Sequence, residues 1–296
     1  MSNNRREFLK LSGLAGLGVV GTGFKGLSQE EQAQVLAQSK RKHIQRFNMS
    51  GYAAPKLDVV RVGVVGLGNR GPGAVNRLSK IEGVEIKALC DLRPERVDKI
   101  VKSLEETSHK PETYSGSAYA WKEMVDREDL DLIYIATPWE WHTPMAVYAM
   151  EAGKHACSEV PIAVTIEGCW QLVETSERTK KHCMMLENCC YDFFELMTLN
   201  MARDGFFGDV FHGEGAYIHD LLDLNFQKGG YQDMWRLKEN YRNGSLYPTH
   251  GLGPICQAMD INRGDQMDYL TSLSSNDFLM KEEAQKRAET DSFYSS

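Results

Sequence analysis

From residue 59 onward, short apolar runs alternate with longer segments in which apolar residues recur at helical spacing. The apolar runs predict buried strands, and the amphipathic segments predict helices. Strands are predicted at residues 59–65, 84–90, 132–136, 155–158 and 183–187, and helices at residues 72–80, 94–107, 120–126, 144–152, 166–180 and 193–203. Short apolar strands between helices are typical of a parallel sheet covered on both faces. We therefore expect an α/β fold whose ligand lies at the carboxyl ends of the strands.

The pattern changes after Gly205. Residues 208–219 predict one long strand, which is followed by loops rich in Asn, Asp, Gly and aromatic residues. We expect this part to begin an α+β domain with an open, mostly antiparallel sheet. Because one strand cannot form a stable sheet by itself, and residues 262–296 contain no closing strand pattern, we favour a truncated second domain.

The first 58 residues lie outside the alternating pattern. Arg5 and Arg6 precede Phe8-Leu9-Lys10 and a mildly apolar, glycine-rich stretch, which is typical of a twin-arginine export signal. A basic amphipathic start without that role is the alternative. The signal predicts contact with the twin-arginine export machinery and a location in the periplasm or cell envelope. The chain then divides into a signal at 1–27, an arm or linker at 28–58, a dinucleotide-binding domain at 59–190 and an incomplete substrate and oligomerisation domain at 191–296.

Composition narrows the class of protein. The 296 residues are 42% hydrophobic and 25% charged, which is ordinary for a globular protein with a sizeable core. A net charge of −7 without a long basic stretch argues against a nucleic-acid partner. Seven scattered cysteines without paired C-x-x-C spacing argue against a structural zinc site and indicate reduced thiols.

A glycine-rich turn at residues 66–71 connects the first predicted strand to the first predicted helix. Its sequence fits G-x-G-x-x-G, with Gly66, Gly68 and Gly71 at the glycine positions. Glycine lets the backbone turn tightly and approach a pyrophosphate, which the free N–H groups of the following helix bind. Asp91 ends the second strand, where a carboxylate accepts hydrogen bonds from the adenosine ribose and favours NAD over NADP. The motif predicts a bound NAD, with a purely structural turn as the alternative.

Further polar and aromatic residues follow the third and fourth predicted strands. Trp139 and His142 come after the third strand, and Glu159 comes after the fourth. The carboxyl ends of these strands would place them over the same crevice as the glycine turn. A tryptophan there stacks on a nicotinamide or a sugar, or it packs in the core.

These motifs are similar to those of the glucose–fructose oxidoreductase and inositol dehydrogenase superfamily. The resemblance is carried by residues 66–71, Asp91, residues 139–142, residues 151–155 and residues 159–161. Ordinary dehydrogenases of that superfamily have a catalytic lysine where this chain has Val160. Valine neither donates nor accepts a proton, so the usual dehydrogenase machinery is missing.

Val160 and several further motifs are similar to those of glycoside hydrolase family 109, the NAD-dependent α-N-acetylgalactosaminidases of bacteria. The additional motifs are Asn69-Arg70, residues 187–191, Trp235-Arg236 and the block Tyr-Pro-Thr-His-Gly-Leu-Gly-Pro at residues 247–254. The resemblance implies that NAD⁺ takes a hydride from sugar C3, and that a base then removes the acidified C2 proton. The aglycone leaves from C1, water adds, and NADH restores C3. The net reaction is hydrolysis of a glycan or glycoside with terminal N-acetylgalactosamine, without the paired carboxylates of ordinary glycosidases.

The resemblance also implies roles for individual residues. Tyr191 is the proposed base, with a core tyrosine as the alternative, and His250 would hydrogen-bond the C3 oxygen, with a loop-fixing histidine as the alternative. The expected substrate contacts are Tyr217, Arg236, Tyr247 and His250. The expected cofactor contacts are Gly66, Gly68, Asn69, Arg70, Gly71, Asp91, Trp139, His142, Glu159, Val160 and Asn188. His212 and His219-Asp220 lack a third ligand at suitable spacing, so we expect no catalytic metal.

Two other functions share the same cofactor residues. The first is an NAD-dependent sugar dehydrogenase, which Val160 and the export signal disfavour because no free NAD pool reoxidises a released cofactor outside the cytoplasm. The second is a non-catalytic sugar-binding protein that retains NAD, which Tyr191 and His250 together disfavour. The sequence is also compatible with a homo-oligomer.

Overall fold

A computed structural model describes residues 30, 33, 37, 42–226, 235–239, 245–276 and 278–295. Residues 42–296 form one compact unit, and residues 1–41 form a separate one in which Glu30, Ala33 and Ala37 are helical. The predicted export signal at residues 1–27 lies outside the described residues. None of the described helices is both long enough and apolar enough to span a membrane.

Six parallel strands form a single sheet in the order β3-β2-β1-β4-β5-β6. Their bounds are β1 Val60–Val65, β2 Val84–Cys90, β3 Glu112–Tyr114, β4 Leu132–Ile135, β5 His155–Ser158 and β6 Cys183–Met185. The expected α/β fold with a parallel sheet is therefore confirmed. The strand order reverses between β1 and β4, which opens a crevice at their carboxyl ends.

Ten α-helices are described. They are α1 Gly71–Leu78, α2 Pro94–Ser103, α3 Ala120–Val125, α4 Trp139–Glu151, α5 Ile166–Thr179, α6 Phe193–Arg203, α7 Leu222–Phe226, α8 Trp235–Glu239, α9 Thr249–Ala258 and α10 Leu279–Ala288. Short 3₁₀ helices span Asn188–Tyr191 and Ser292–Ser295. The first six α-helices correspond to the predicted ones.

Both faces of the sheet are buried, which explains why its strands are continuously apolar. Side chains alternate between the two faces along each strand. On one face, Val62 and Val64 belong to a core that includes residues of α1 and α2. On the other face, Ile133 and Ile135 belong to a core that includes residues of α3, α4 and α5.

The structure differs from the prediction at the start of α4, the helix that carries two candidate site residues. The helix expected to begin at Pro144 begins at Trp139, and Pro144 lies inside it. Proline lacks an N–H group, so the helix forgoes one backbone hydrogen bond there. Consequently Trp139 and His142 lie on the first turn of α4, at the edge of the crevice.

The prediction of one long strand at residues 208–219 is wrong. This segment forms no strand, and Phe211 and Ile218 are 92% and 91% exposed. Strand structure requires a hydrogen-bonded partner, and no described segment pairs with it. The expected antiparallel sheet is likewise not found in the described residues, where an isolated bridge between Ile261 and Asp265 is the strand-like pairing beyond β6.

Candidate active site

The glycine turn lies at the point where the strand order reverses. Gly66 has a φ of +90°, and a Cβ atom there would overlap the carbonyl group of Ala136 at the end of β4. A Cβ atom on Gly71 would overlap the carbonyl oxygen of Gly66. No side chain caps the N-terminus of α1. The turn therefore fits a pyrophosphate. Without side chains at these glycines the ligand can come close to the backbone, and the helix dipole favours negative charge at the N-terminus of α1.

Asp91 fixes the shape of this turn. Its Oδ2 accepts a hydrogen bond of 2.7 Å from the backbone N–H of Leu67, and its Oδ1 accepts one of 2.9 Å from Arg93. Each carboxylate oxygen has a second lone pair, so these bonds leave acceptor capacity for a ribose hydroxyl. Asp91 thus both orders the glycine turn and lies where a dinucleotide would be held.

A cavity of about 500 Å³ opens beside the turn, between the crevice of the sheet and the segments that follow residue 215. The predicted site residues among its lining are Asn69, Arg70, Trp139, His142, Glu159, Val160, Asn188, Tyr217, Arg236, Tyr247 and His250. The predicted residues that lie outside the lining are Gly66, Gly68, Gly71, Asp91 and Tyr191. The structure thus brings together cofactor and substrate candidates from distant parts of the sequence.

Glu159 holds a polar network at the floor of the cavity. Tyr134 donates a hydrogen bond of 2.8 Å to its Oε1, and Nε of Arg70 lies 3.4 Å from its Oε2. Arg70 also donates a hydrogen bond of 3.3 Å to Asn188. Burial opposes the charge on Arg70, but Glu159 outweighs it, so the pKa of Arg70 is raised. The network therefore holds a permanent cation beside the glycine turn.

His142 joins two of the crevice loops. Its Nδ1 lies 2.7 Å from the carbonyl oxygen of Pro161, and its Nε2 lies 2.7 Å from that of Thr137. Burial lowers the pKa of His142, while its contacts with the two carbonyl oxygens act in the opposite direction. The imidazole thus holds loops together at the cavity wall, and its contact with a cofactor stays a prediction.

An aromatic cluster forms the opposite wall. The rings of Trp139 and Tyr247 are parallel, with centroids 5.4 Å apart, and Trp235 meets Trp139 edge-on. The guanidinium carbon of Arg236 lies 4.4 Å from the Trp139 centroid and 4.8 Å from that of Tyr247. Cation–π contacts of this kind hold a guanidinium in one orientation. Trp139 therefore packs in the wall rather than standing alone in the crevice.

Tyr247 is suited to donate a hydrogen bond. Burial raises the pKa of its phenol well above the usual range, so the hydroxyl stays protonated. Its oxygen lies 3.4 Å from the carbonyl oxygen of Val160. Val160 thus contributes a backbone oxygen and an apolar side chain where the dehydrogenases of the resembling superfamily have a lysine.

His250 faces the cavity from the first turn of α9. Its Nδ1 lies 2.5 Å from Oε1 of Glu187, and the rings of Tyr217 and Tyr247 lie 5.3 Å and 4.7 Å from its own. Gly215 and Gly251 permit this arrangement, because a Cβ atom on Gly215 would overlap the backbone of Gly251. This close crossing brings Tyr217 against His250.

Tyr191, the predicted base, ends the 3₁₀ helix Asn188–Tyr191 and is 54% exposed. It does not line the cavity, whereas Asn188 and Cys189 of the same helix do. Its role as a base stays a prediction.

Glu187 is a candidate site residue that the sequence did not predict. It is buried two residues after the end of β6, at a carboxyl end of the sheet like Asp91 and Glu159. This position at the end of a predicted strand was the feature of the sequence that could have identified Glu187. Its partner His250 is 63 residues further along the chain, so the pairing itself could not be read from spacing.

Two family models match different parts of the chain. Residues 60–187 match a family model described as an oxidoreductase family with an NAD-binding Rossmann fold. Residues 191–292 match a model described as the C-terminal domain of glycosyl hydrolase 109.

Curated relatives match across both regions. A glycosyl hydrolase family 109 protein of Shewanella pealeana is 47% identical over 280 residues, which cover 93% of this chain and 59% of the relative. An α-N-acetylgalactosaminidase of Bacteroides fragilis is 53% identical over 247 residues, which cover 82% of this chain and 58% of the relative. The chain thus spans somewhat under two thirds of the length of these relatives.

Solved structures share the fold at lower identity. An NAD-binding oxidoreductase from Klebsiella pneumoniae superposes with a TM-score of 0.55 at 20% identity, covering 69% of this chain and 54% of that one. An aldose–aldose oxidoreductase from Caulobacter crescentus gives a TM-score of 0.55 at 22% identity, covering 68% and 58%.

Proposed function

Because this chain belongs to glycosyl hydrolase family 109, we propose that it removes α-linked N-acetylgalactosamine from glycosides by using NAD as a retained cofactor. The observation that carries the proposal is the cavity itself. Its cofactor side presents Val160 in place of a catalytic lysine, and its other side presents Tyr217, Tyr247 and His250. This arrangement suits proton transfer at a sugar hydroxyl more than the chemistry of a lysine-dependent dehydrogenase.

The residues that would hold NAD are those around the glycine turn. Gly66 and Gly71 leave room for the pyrophosphate, Asp91 offers acceptors to the ribose, and Arg70 supplies a fixed cation. When bound, NAD supplies a reversible hydride acceptor for oxidation at carbon 3 of the sugar. Glu159 acts indirectly in this proposal, because its carboxylate already binds Tyr134 and Arg70.

His250 would move the proton that accompanies this oxidation. Its Nδ1 is directed to Glu187, so Nε2 is the nitrogen left to accept the proton of the C3 hydroxyl. The resulting imidazolium donates a hydrogen bond to the C3 carbonyl oxygen. The same bond stabilises the negative charge that develops there when the C2 proton leaves.

Arg236, Tyr217 and Tyr247 would bind the sugar. The guanidinium of Arg236 is held against Trp139 and Tyr247, so its direction is set before the substrate arrives. The protonated phenol of Tyr247 would turn from the carbonyl oxygen of Val160 to donate its hydrogen bond to a sugar oxygen or to the N-acetyl carbonyl. Tyr191 is proposed as the base at C2.

We also propose that the protein is exported by the twin-arginine route to the periplasm or cell envelope. The support is Arg5 and Arg6 ahead of an apolar, glycine-rich segment. Export in the folded state is compatible with a cofactor that is bound in the cytoplasm and never released. Fusion of residues 1–27 to a reporter that needs this route tests the proposal.

The function is tested by incubating the purified protein with p-nitrophenyl α-N-acetylgalactosaminide and no added NAD, in heavy water. We expect release of nitrophenol together with exchange of the C2 proton. NADH that accumulates only with external NAD⁺ would instead identify a sugar dehydrogenase. Sugar binding without either signal would identify a non-catalytic binding protein.

The role of Tyr191 is tested by Tyr191→Phe in the same assay. We expect this variant to lose C2 exchange by a factor of about 10² or more while retaining NAD, because a phenyl ring accepts no proton. Exchange at the wild-type rate would remove Tyr191 from the proposed role.

A further inference from the structure

Glu187 is a buried carboxylate that contacts His250. Only 3% of its surface is exposed. Oε1 accepts a hydrogen bond of 3.0 Å from the backbone N–H of Cys189 and lies 2.5 Å from Nδ1 of His250. Oε2 is buried and has no hydrogen-bond partner among the described residues. A carboxylate held in this way costs free energy unless a positive charge develops beside it.

We propose that Glu187 is a positioning residue that sets the tautomer of His250 and stabilises its protonated form during turnover. This inference rests on the proposed function, in which His250 takes the proton of the C3 hydroxyl. The carboxylate accepts only, so the ring nitrogen facing it must carry a proton. Nε2 then presents its lone pair to the substrate, and the imidazolium formed by proton transfer lies against a negative charge.

The remaining neighbours of His250 restrain the ring without competing for that charge. Tyr217 and Tyr247 pack against the imidazole from two different segments, and Cys189 approaches from the 3₁₀ helix. Burial raises the pKa of the Cys189 thiol, and Glu187 acts in the same direction. Cys189 is therefore neutral, and Glu187 is the one described anion whose atoms contact the ring.

A metal ion is the competing explanation for this cluster, because Glu187, Cys189 and His250 each place a ligand atom within 4.8 Å of the others. Two donors on one tetrahedral zinc ion at about 2.0–2.1 Å would lie about 3.3 Å apart. Oε1 of Glu187 and Nδ1 of His250 lie 2.5 Å apart, at hydrogen-bonding distance and closer than two ligands of one zinc ion would be.

The first test observes the ring directly and needs no activity. Histidine labelled with ¹⁵N is incorporated, and the His250 signals are identified by their absence in His250→Asn. We expect the wild-type ring to carry its proton on Nδ1, and Glu187→Leu to shift the proton toward Nε2. A wild-type ring that carries its proton on Nε2 would overturn the proposal.

The second test separates charge from shape. Glu187→Gln keeps an oxygen that accepts from Nδ1 but removes the negative charge. We expect kcat to fall about 10- to 100-fold, as for comparable partners of functional histidines, with KM and bound NAD unchanged. The acid limb of the pH–rate profile should move to lower pH, because the positive ring has lost its carboxylate.

Glu177→Gln is the matched control. Glu177 is another buried glutamate paired with a histidine, since its Oε1 lies 3.0 Å from Nε2 of His43, and neither residue lines the cavity. This variant should leave kcat, KM and the pH profile unchanged. It shows whether loss of any buried Glu–His pair slows the enzyme through stability alone.

Two further outcomes would overturn the inference, and a third separates it from the proposed function. A Glu187→Gln variant with kcat within about threefold of wild type and an unmoved acid limb would overturn it. Activity that a chelator abolishes and zinc or manganese restores would also overturn it and assign the cluster to a metal. If His250 of the wild-type protein has the expected tautomer but the protein does not hydrolyse the glycoside, the proposed function is refuted and the Glu187–His250 pairing still stands.

Discussion

At the scale of single residues, the glycine turn depends on two positions that leave no room for a side chain. Gly66 and Gly71 are required because a Cβ atom at either position would overlap backbone. Strand, glycine turn, helix and acidic residue occur within one stretch of sequence, so their geometry is encoded locally. Glu187 was missed because its significance depends on His250, which the fold brings to it from a distant segment.

Gly66→Ala tests whether the glycine turn holds the cofactor. The substitution places a side chain at a φ of +90° and against the carbonyl of Ala136, so the turn must move away from the pyrophosphate position. We expect the purified variant to contain less than about a tenth of the wild-type NAD, which corresponds to roughly 1.4 kcal/mol or more of lost binding. Cofactor content is measured by releasing NAD from denatured protein.

Gly116→Ala is the control for that measurement. Gly116 also has a positive φ, but a Cβ atom there meets no other group within 4 Å. Its NAD content should equal that of wild type. Wild-type NAD content in Gly66→Ala would show that the cofactor does not depend on the glycine turn.

At the scale of elements, the sheet was predictable because each buried strand carries its own apolar run. Strand β3 was missed because its sequence, Glu-Thr-Tyr, is short and polar and lies at the sheet edge. The strand predicted at residues 208–219 failed for the opposite reason. Its sequence is compatible with a strand, but a strand exists only where a partner supplies hydrogen bonds, and that information is not local.

An ion pair between the starts of β1 and β4 gives a pH-dependent prediction. Arg61 donates to Asp131 from its backbone N–H and from Nε at 2.8 Å, and from Nη2 at 2.7 Å. These hydrogen bonds hold the pKa of Asp131 below its ordinary value. The carboxylate therefore stabilises the fold above its unfolded-state pKa of about 3.9, and that stabilisation is lost as pH falls through the lower folded-state pKa.

We expect Asp131→Asn to lower the free energy of unfolding by about 1 kcal/mol at neutral pH, since the pair is partly exposed and screened. The difference from wild type should shrink as pH falls below about 3.9 and vanish below the lower folded-state pKa of Asp131, where the carboxyl group is protonated in both states. Urea unfolding at a series of pH values measures this difference in the free energy of unfolding. Asp98→Asn, at an exposed position on α2, is the control. A difference that persists unchanged in acid would contradict the ion-pair account.

At the scale of the whole molecule, the site exists only because distant segments meet. The Rossmann part supplies the glycine turn, Glu159 and Glu187, and the following part supplies Arg236 and His250. The two sets meet where α9 passes close to Glu187 and Cys190, because a Cβ atom on Gly253 would overlap Sγ of Cys190. A redox domain thereby acquires groups suited to moving protons on a sugar, which is the physical basis for proposing hydrolysis instead of net oxidation.

The central claim is that oxidation and reduction both occur on one sugar molecule within one turnover. It is tested most directly with p-nitrophenyl α-N-acetylgalactosaminide that carries deuterium at C3, incubated in ordinary water without added NAD. We expect the released sugar to keep its deuterium at C3. The same reaction of unlabelled substrate in heavy water should introduce deuterium at C2. Release of the sugar with no exchange at C2 would contradict the account, because the glycosidic bond would then have broken without a C3 ketone.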